Sequence, residues 1–246
     1  MKHIRTVIML FLFTQATVLL ESQKTMGNQI SPPVTNQPDE TYVVGRLQAA
    51  LASTQFAVRL YYHGACAVDG RNDVLFPSVT VLPVAGNKKG VAAIREMFRD
   101  DKSVLVSVDS SNVVRIYIGH VYKPVLDTTL SSIELTTTAQ YNPGGPGGAI
   151  DLLESAVPVQ AAMREFGMAE ESDFYIGLEQ PPIPKRPHLP PTISGVTLDQ
   201  ALDAISRTFP GVVVYGECEN RDYSHITGIK DYSHIVAIYF DWYRSQ

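Results

Sequence analysis

The sequence predicts an α+β protein of two tandem small two-layer modules, each a short sheet packed against two helices. Three observations carry that prediction. The order helix, strand, strand, helix, strand, strand can be read from about Tyr42 to Ile118 and again from about Ala149 to Trp242. Between the two runs lies Asn142-Pro-Gly-Gly-Pro-Gly-Gly148, where glycine flexibility and proline punctuation stop regular structure. The 246 residues are 45% hydrophobic and 18% charged, the content of a globular protein able to bury a core. The implied boundaries are 1–22 for a signal peptide, 23–40 for a disordered leader, 41–135 for the first module, 136–148 for the Gly/Pro linker and 149–246 for the second module.

Lys2, His3 and Arg5 precede the apolar run Val7 to Phe13, and Thr14-Gln15-Ala16 has the small-x-small form of a signal-peptidase site. A second apolar stretch, Thr17 to Leu20, also allows cleavage near Ser22. Even from Thr6 to Leu20 the segment is shorter than the ~20 residues of a comfortable membrane span. Export is therefore expected, to the periplasm or beyond, with no membrane span in the mature chain. Gln23 to Glu40, with Pro32-Pro33 and Pro38 among polar residues, reads as the unstructured leader.

The first module opens on Val43, Val44, Leu47, Ala50 and Leu51, spaced as one face of a helix. Phe56 to Tyr62 is rich in β-formers and reads as a strand, and Ser78 to Leu82 reads as a second. Val91, Ile94 and Phe98 form a helical stripe after Asn87, a plausible N-cap region. Val104, Val106 and Val108 share one face of a strand, as do Val114, Ile116 and Ile118. Asp109-Ser-Ser-Asn112 joins these two as a hairpin turn. Tyr122 to Leu135 adds a further extended segment.

In the second module, Ile150 to Val157 is interrupted by Pro158, which starts a helix more comfortably than it sits inside one. Val159, Ala162, Met163 and Phe166 keep helical spacing, and Gly167 is a natural C′ residue. Phe174 to Leu178 reads as a strand, and the proline-rich run Gln180 to Pro191 as an extended stretch too irregular for a sheet interior. Leu198, Ala201, Leu202, Ile205 and Phe209 define the next helix, with Thr197 and Gln200 at capping-box spacing and Pro210-Gly211 ending it. Val212 to Tyr215 and Ile235 to Trp242 close the module as strands.

The segment Thr192-Ile-Ser-Gly-Val-Thr-Leu-Asp-Gln-Ala-Leu-Asp-Ala-Ile205, with Phe209 and Val212 to Tyr215 behind it, resembles the short N-terminal domain of secretins and TonB-dependent receptors. The shared pattern is a strand, a capped Leu-x-x-Ala-Leu helix and a strand pair. Gly90 to Phe98 followed by Val104 to Ile118 matches it more loosely. The resemblance implies a periplasmic interaction module with no chemistry of its own.

A net charge of −5 and scattered basic residues argue against a nucleic-acid binder. No phosphate loop, Gly-x-Ser-x-Gly or His-Glu-x-x-His motif occurs. No catalytic residue, metal or cofactor is assigned. Cys66 and Cys218 can pair in an oxidising compartment if geometry brings them together. The direct repeat Asp222-Tyr-Ser-His-Ile226 and Asp231-Tyr-Ser-His-Ile235 lies in or beside the long loop Cys218 to Ser233. It makes Tyr223, His225, Tyr232 and His234 the candidate binding residues, since loops on a rigid scaffold concentrate function. Tyr61, Tyr62, Tyr239, Trp242 and Tyr243 are candidates for an exposed aromatic contact patch, although such residues more often take half-buried sheet positions. The expected function is an exported, non-enzymatic protein-interaction or assembly module with an unidentified protein partner in the cell envelope. The alternative is a secreted hydrolase using Cys66, near His63 and Asp69, or the His225/His234 loop.

Overall fold

The computed structural model describes residues 38–52, 54–67, 73–84, 88–135, 145–171, 189–220 and 232–243. The expected signal segment, nearly all of the leader, the strand over Phe174 to Leu178 and most of the proline-rich run lie outside the described residues.

Helix α1, Glu40–Leu51, starts where the Asp39 side chain accepts the Tyr42 N–H at 2.7 Å. Its apolar stripe is the expected one, with Val43, Val44, Leu47, Ala50 and Leu51 buried. Strand β1, Ala57–His63, leads into a two-residue pair, β2 (Ala65–Cys66) and β3 (Val74–Leu75). The strand expected over Ser78 to Leu82 does not form. That stretch holds Val79 in the core, but its amides turn to loop acceptors: Thr80 N–H to Asp101 and Leu82 N–H to the Met97 carbonyl. Helix α2, Gly90–Met97, is followed by the hairpin of β4 (Val104–Val108) and β5 (Val113–Ile118). Asp109 shapes the turn by accepting the N–H groups of Ser111 and Val113. Tyr122 to Leu135 holds a 3-10 turn at Pro124–Asp127 and two short strands, β6 (Thr129–Leu130) and β7 (Ile133–Glu134).

Helix α3, Pro146–Glu154, begins inside the expected linker, because proline is tolerated at the first helical positions and Ile150 and Leu153 find a core to enter. The break expected to reach Gly148 therefore ends earlier. Helix α4, Val157–Glu165, has Pro158 in its first turn, and Gly167 beyond it takes a φ of 63°. Then come β8 (Met168–Glu170), β9 (Thr192–Ile193), β10 (Val196–Thr197), helix α5 (Leu198–Thr208) with its capping box complete, β11 (Gly211–Glu219) and β12 (His234–Trp242).

The main strands form one mixed sheet in the order β4-β5-β1-β11-β12-β8, flanked by small two-stranded pairs, so the molecule is α+β. Two separate short sheets were expected, and this is a correction. The halves join by parallel pairing of β1 with β11, from Val58 beside Val212 to His63 beside Glu217. The reason lies in burial. Ala57 to Tyr62 and Gly211 to Cys218 are buried on both faces, which a module with one solvated sheet face cannot provide.

Each half nevertheless arranges its strands alike. In the first, the order is β4-β5-β1, with β1 parallel and β4 antiparallel to β5. In the second it is β11-β12-β8, with β8 parallel and β11 antiparallel to β12. Because β1 and β11 run parallel, the second arrangement is the first turned over. Its helices accordingly pack on the other face. Val43, Leu47, Ile94 and Met97 of α1 and α2 meet Val58, Leu60, Val114 and Ile116. Ile150, Val159, Leu202 and Ile205 of α3, α4 and α5 meet Val213, Val236, Ile238 and Phe240.

Candidate functional site

Three parallel strands, β5, β1 and β11, end side by side at the seam of the two halves. In open sheets with helices on both faces, ligands bind beyond the carboxyl ends of strands where connections leave for opposite faces. Side-chain alternation sends Arg59, Tyr61 and His63 of β1 toward α5, and the register aligns Tyr61 with Tyr117 and Tyr215, and His63 with Glu217.

Glu217 is fully buried, yet its carboxylate organises the rim. Oε1 lies 2.7 Å from His63 Nδ1 and accepts the Tyr122 backbone N–H at 3.0 Å, and Oε2 lies 3.3 Å from His234 Nδ1. Both imidazoles meet the carboxylate through Nδ1, which leaves Nε2 as the ring nitrogen not engaged by Glu217. The Tyr122 ring stacks on the His234 ring with centroids 4.3 Å apart, and the Tyr215 hydroxyl donates to the Tyr122 carbonyl at 3.0 Å. The His63 side chain is 41% exposed and that of His234 is 19% exposed. Tyr122 is itself exposed.

The rim is pinned from behind. Cys218, next to Glu217 and facing the opposite side of β11, is bonded to Cys66 just past β1, with Cα atoms 5.4 Å apart. The Gly64 N–H donates to the Glu217 carbonyl at 2.8 Å. Gly216 is required at its place, since a Cβ there would fall 2.4 Å from the ring of Tyr62.

Beneath the rim lies a charged layer. Arg59, fully buried, lies 2.8 Å from Asp203 and 3.1 Å from Asp199, both on α5. Arg115 pairs with Asp109 and Asp203 and lies 3.5 Å from Asp199. Burial raises the Asp203 carboxyl above its ordinary range, against the pull of Arg59 and Arg115. Burial pulls the Arg115 guanidinium down, but its hydrogen bond to Asp109 and the nearby carboxylates leave it raised. The Tyr61 hydroxyl donates to Asp199 at 2.8 Å, Tyr61 stacks on Tyr117 at 4.6 Å, and Lys123 sits over both rings. These pairs clamp α5 onto the sheet below the rim.

Of the residues singled out in the sequence, His234 belongs to this rim. Tyr232 lies half-buried two residues before it, and Tyr223 and His225 lie outside the described residues. Of the two places open to the aromatic residues, Tyr61 and Tyr62 take the sheet position and not the exposed patch: both are core side chains on a strand buried on both faces. Tyr239 donates to Glu40, Tyr243 is half-buried, and the side chain of Trp242 lies outside the described residues. The hydrolase reading through Cys66 is also corrected, because a sulfur in a disulfide is not a thiolate. Asp69 of that cluster lies outside the described residues. Sequence reasoning missed Glu217 and Tyr122. A signal for Glu217 existed: it is an acidic residue inside the apolar strand run Val212 to Cys218, where a lone charge needs partners.

Among the described residues, neither imidazole bonds a hydroxyl or thiol, and no group of three or more His, Cys, Asp or Glu side chains is arranged to hold a metal ion. No helix there is long and apolar enough to cross a membrane. No protein-family model, curated protein or solved structure matches the chain.

Proposed function

We propose that this chain is an exported, non-enzymatic protein-interaction module whose contact surface is the strand-end rim bearing His63, Tyr122 and His234. One observation carries the reading. The buried Glu217 carboxylate holds two imidazoles and the backbone of Tyr122 in fixed positions, with no nucleophile bonded to either ring among the described residues. Covalent catalysis by a side-chain nucleophile holds that nucleophile within hydrogen-bond reach of its base. Pre-positioned aromatic and polar side chains are instead what a protein contact uses, because little side-chain freedom is lost on binding.

Export is supported by the basic and apolar start of the sequence and by a disulfide between residues 152 positions apart. The likeness of Thr192 to Tyr215 to the short N-terminal domain of secretins and TonB-dependent receptors supports a role in the cell envelope. In this reading the two halves are copies of one unit that share a sheet. The matching strand order and the reversed helix faces support that.

The test is capture by cross-linking in an envelope extract, using the tagged mature chain. Tyr122→Ala combined with His63→Asn, which keeps an N–H donor toward Glu217, should weaken capture of the cross-linked partner by about tenfold or more while thermal unfolding stays near that of the wild type, as for a central contact pair. Equal capture by the variant sinks the rim as the contact surface. The hydrolytic alternative through the His225/His234 loop forecasts covalent labelling by a serine- or thiol-directed probe that His234→Ala abolishes.

A further inference from the structure

The seam leaves two strands at the ends of the sheet, and β4 is the end with the more unusual chemistry. Its sequence is Val-Leu-Val-Ser-Val, with no charge, proline or glycine in the strand. Natural edge strands normally carry such residues to prevent pairing. Leu105 is 63% exposed and Val108 is 36% exposed. Among the described residues β4 pairs with β5 and with no other strand.

The hydrogen-bond phase of the hairpin says which backbone groups are free. Gly119 N–H donates to the Ser103 carbonyl and Asp109 N–H to the Val113 carbonyl. In an antiparallel ladder inward-pointing and outward-pointing residues alternate. Leu105 and Ser107 therefore bond inward to Tyr117 and Arg115, and Val104, Val106 and Val108 present their N–H and C=O groups outward. The Val104 N–H alone of these is taken, by the Asp101 carbonyl at 3.3 Å.

We propose that this edge pairs with the same edge of a second copy, antiparallel and centred on Val106, so that one sheet runs through both molecules. The strand is self-complementary about that residue. Val106 would exchange both its bonds with Val106 of the other copy, and the Val108 N–H of each would donate to the Val104 carbonyl of the other. That arrangement is two-fold, and because the Val104 N–H is already held by the Asp101 carbonyl, the ladder between the copies ends on each side at the Val108-to-Val104 bond. Exposed Leu105 falls opposite Ser107 of the second copy, so two leucines are covered without meeting head on. Charge fits the same register: Asp101 faces Ser111, Lys102 faces Ser110 and Ser103 faces Asp109. No like charges are opposed, which antiparallel pairs require. A foreign strand could use the same backbone groups, but the chain's own edge supplies this match of charge and register.

Charge reversal at the centre tests it. Val106→Lys and Val106→Glu each place like charges face to face on the two-fold axis, while a mixture places Lys opposite Glu. The mass of the mature chain by light scattering should be that of a dimer. Each variant alone should lose about tenfold or more in dimer affinity, about 1.4 kcal/mol, and the mixture should recover it. Recovery also shows that both variants are folded. If both unfold, Val106→Cys replaces them: opposed residues of a bonded pair lie near 5.5 Å between Cα atoms, within disulfide reach. It should give a covalent dimer on oxidation, whereas Val104→Cys, facing Val108, should not. A monomeric wild type, a dimer indifferent to charge at 106, open-ended polymers, or an edge filled by a different protein would each overturn the proposal.

Discussion

Glu40 shows how one residue ties the fold to pH. Burial, reinforced by the carboxylates of Asp241, Glu171 and Asp39, raises its carboxyl from 4.5 to about 7, although the hydrogen bond from Tyr239 pulls the other way. Between those values the folded chain keeps a proton that the unfolded chain has released. Stability from this group is therefore complete below about pH 4.5 and is lost as pH rises to about 7, by up to about 3 kcal/mol. Glu40→Gln should flatten that dependence and be the more stable protein at pH 8, as urea unfolding across pH 4 to 8 (roughly two units either side of the midpoint) will show. A wild type whose stability rises over that window contradicts the assignment. Asp203 is a second residue-scale case. Asp203→Ala leaves the buried Arg59 guanidinium short of its nearest carboxylate, and should cost about 3–5 kcal/mol in the same measurement. Replacing Arg59 and Asp203 together by apolar residues should cost less than the sum of the two single changes, because the Arg59 guanidinium is then no longer left buried beside a missing carboxylate, while Arg115 keeps Asp109.

At the scale of elements, most helices were legible because their signals are local. The stripe Leu198, Ala201, Leu202, Ile205 and the Thr197/Gln200 box are complete within a dozen residues, and the structure reproduces both. Thr197→Ala removes the acceptor for the Gln200 N–H and should lower the midpoint of thermal unfolding by an amount equivalent to about 1 kcal/mol. An unchanged midpoint would mean the cap does not limit α5. The failures are equally local in cause. Ser78 to Leu82 has strand composition, but Pro77 and Pro83 bracket it and its amides bond to loop and helix-end acceptors instead of a neighbouring strand. Pro146 looked like the interior of a linker, yet it serves as a helix start.

At the scale of the molecule, the sequence held the strands but not their neighbours. β1 and β11 lie about 150 residues apart in the chain, Val58 beside Val212, and parallel pairing leaves no turn between them to be read. The doubled order of elements suggested two closed modules. What could have argued otherwise is that Ala57 to Tyr62 and Val212 to Tyr215 are apolar at nearly every position, the pattern of strands covered on both faces. The candidate site was half legible for the same reason. His234 was in view as part of a repeat, whereas its partners His63, Tyr122 and Glu217 come from three other places in the chain and meet only once the seam forms.

That seam, in an exported chain, is the central claim, and the Cys66–Cys218 bond reports on both parts of it. The two sulfurs meet only if β1 lies beside β11, and the bond persists only in an oxidising compartment. Closing so long a loop should also stabilise the fold by about 5 kcal/mol on chain-entropy grounds. The direct measurement is peptide mapping, without reduction, of the mature protein recovered from the cell envelope or medium after free thiols have been blocked. The account predicts a single linked pair of peptides containing Cys66 and Cys218 and no blocked cysteine. Two blocked cysteines, or either cysteine linked to another chain, would contradict it.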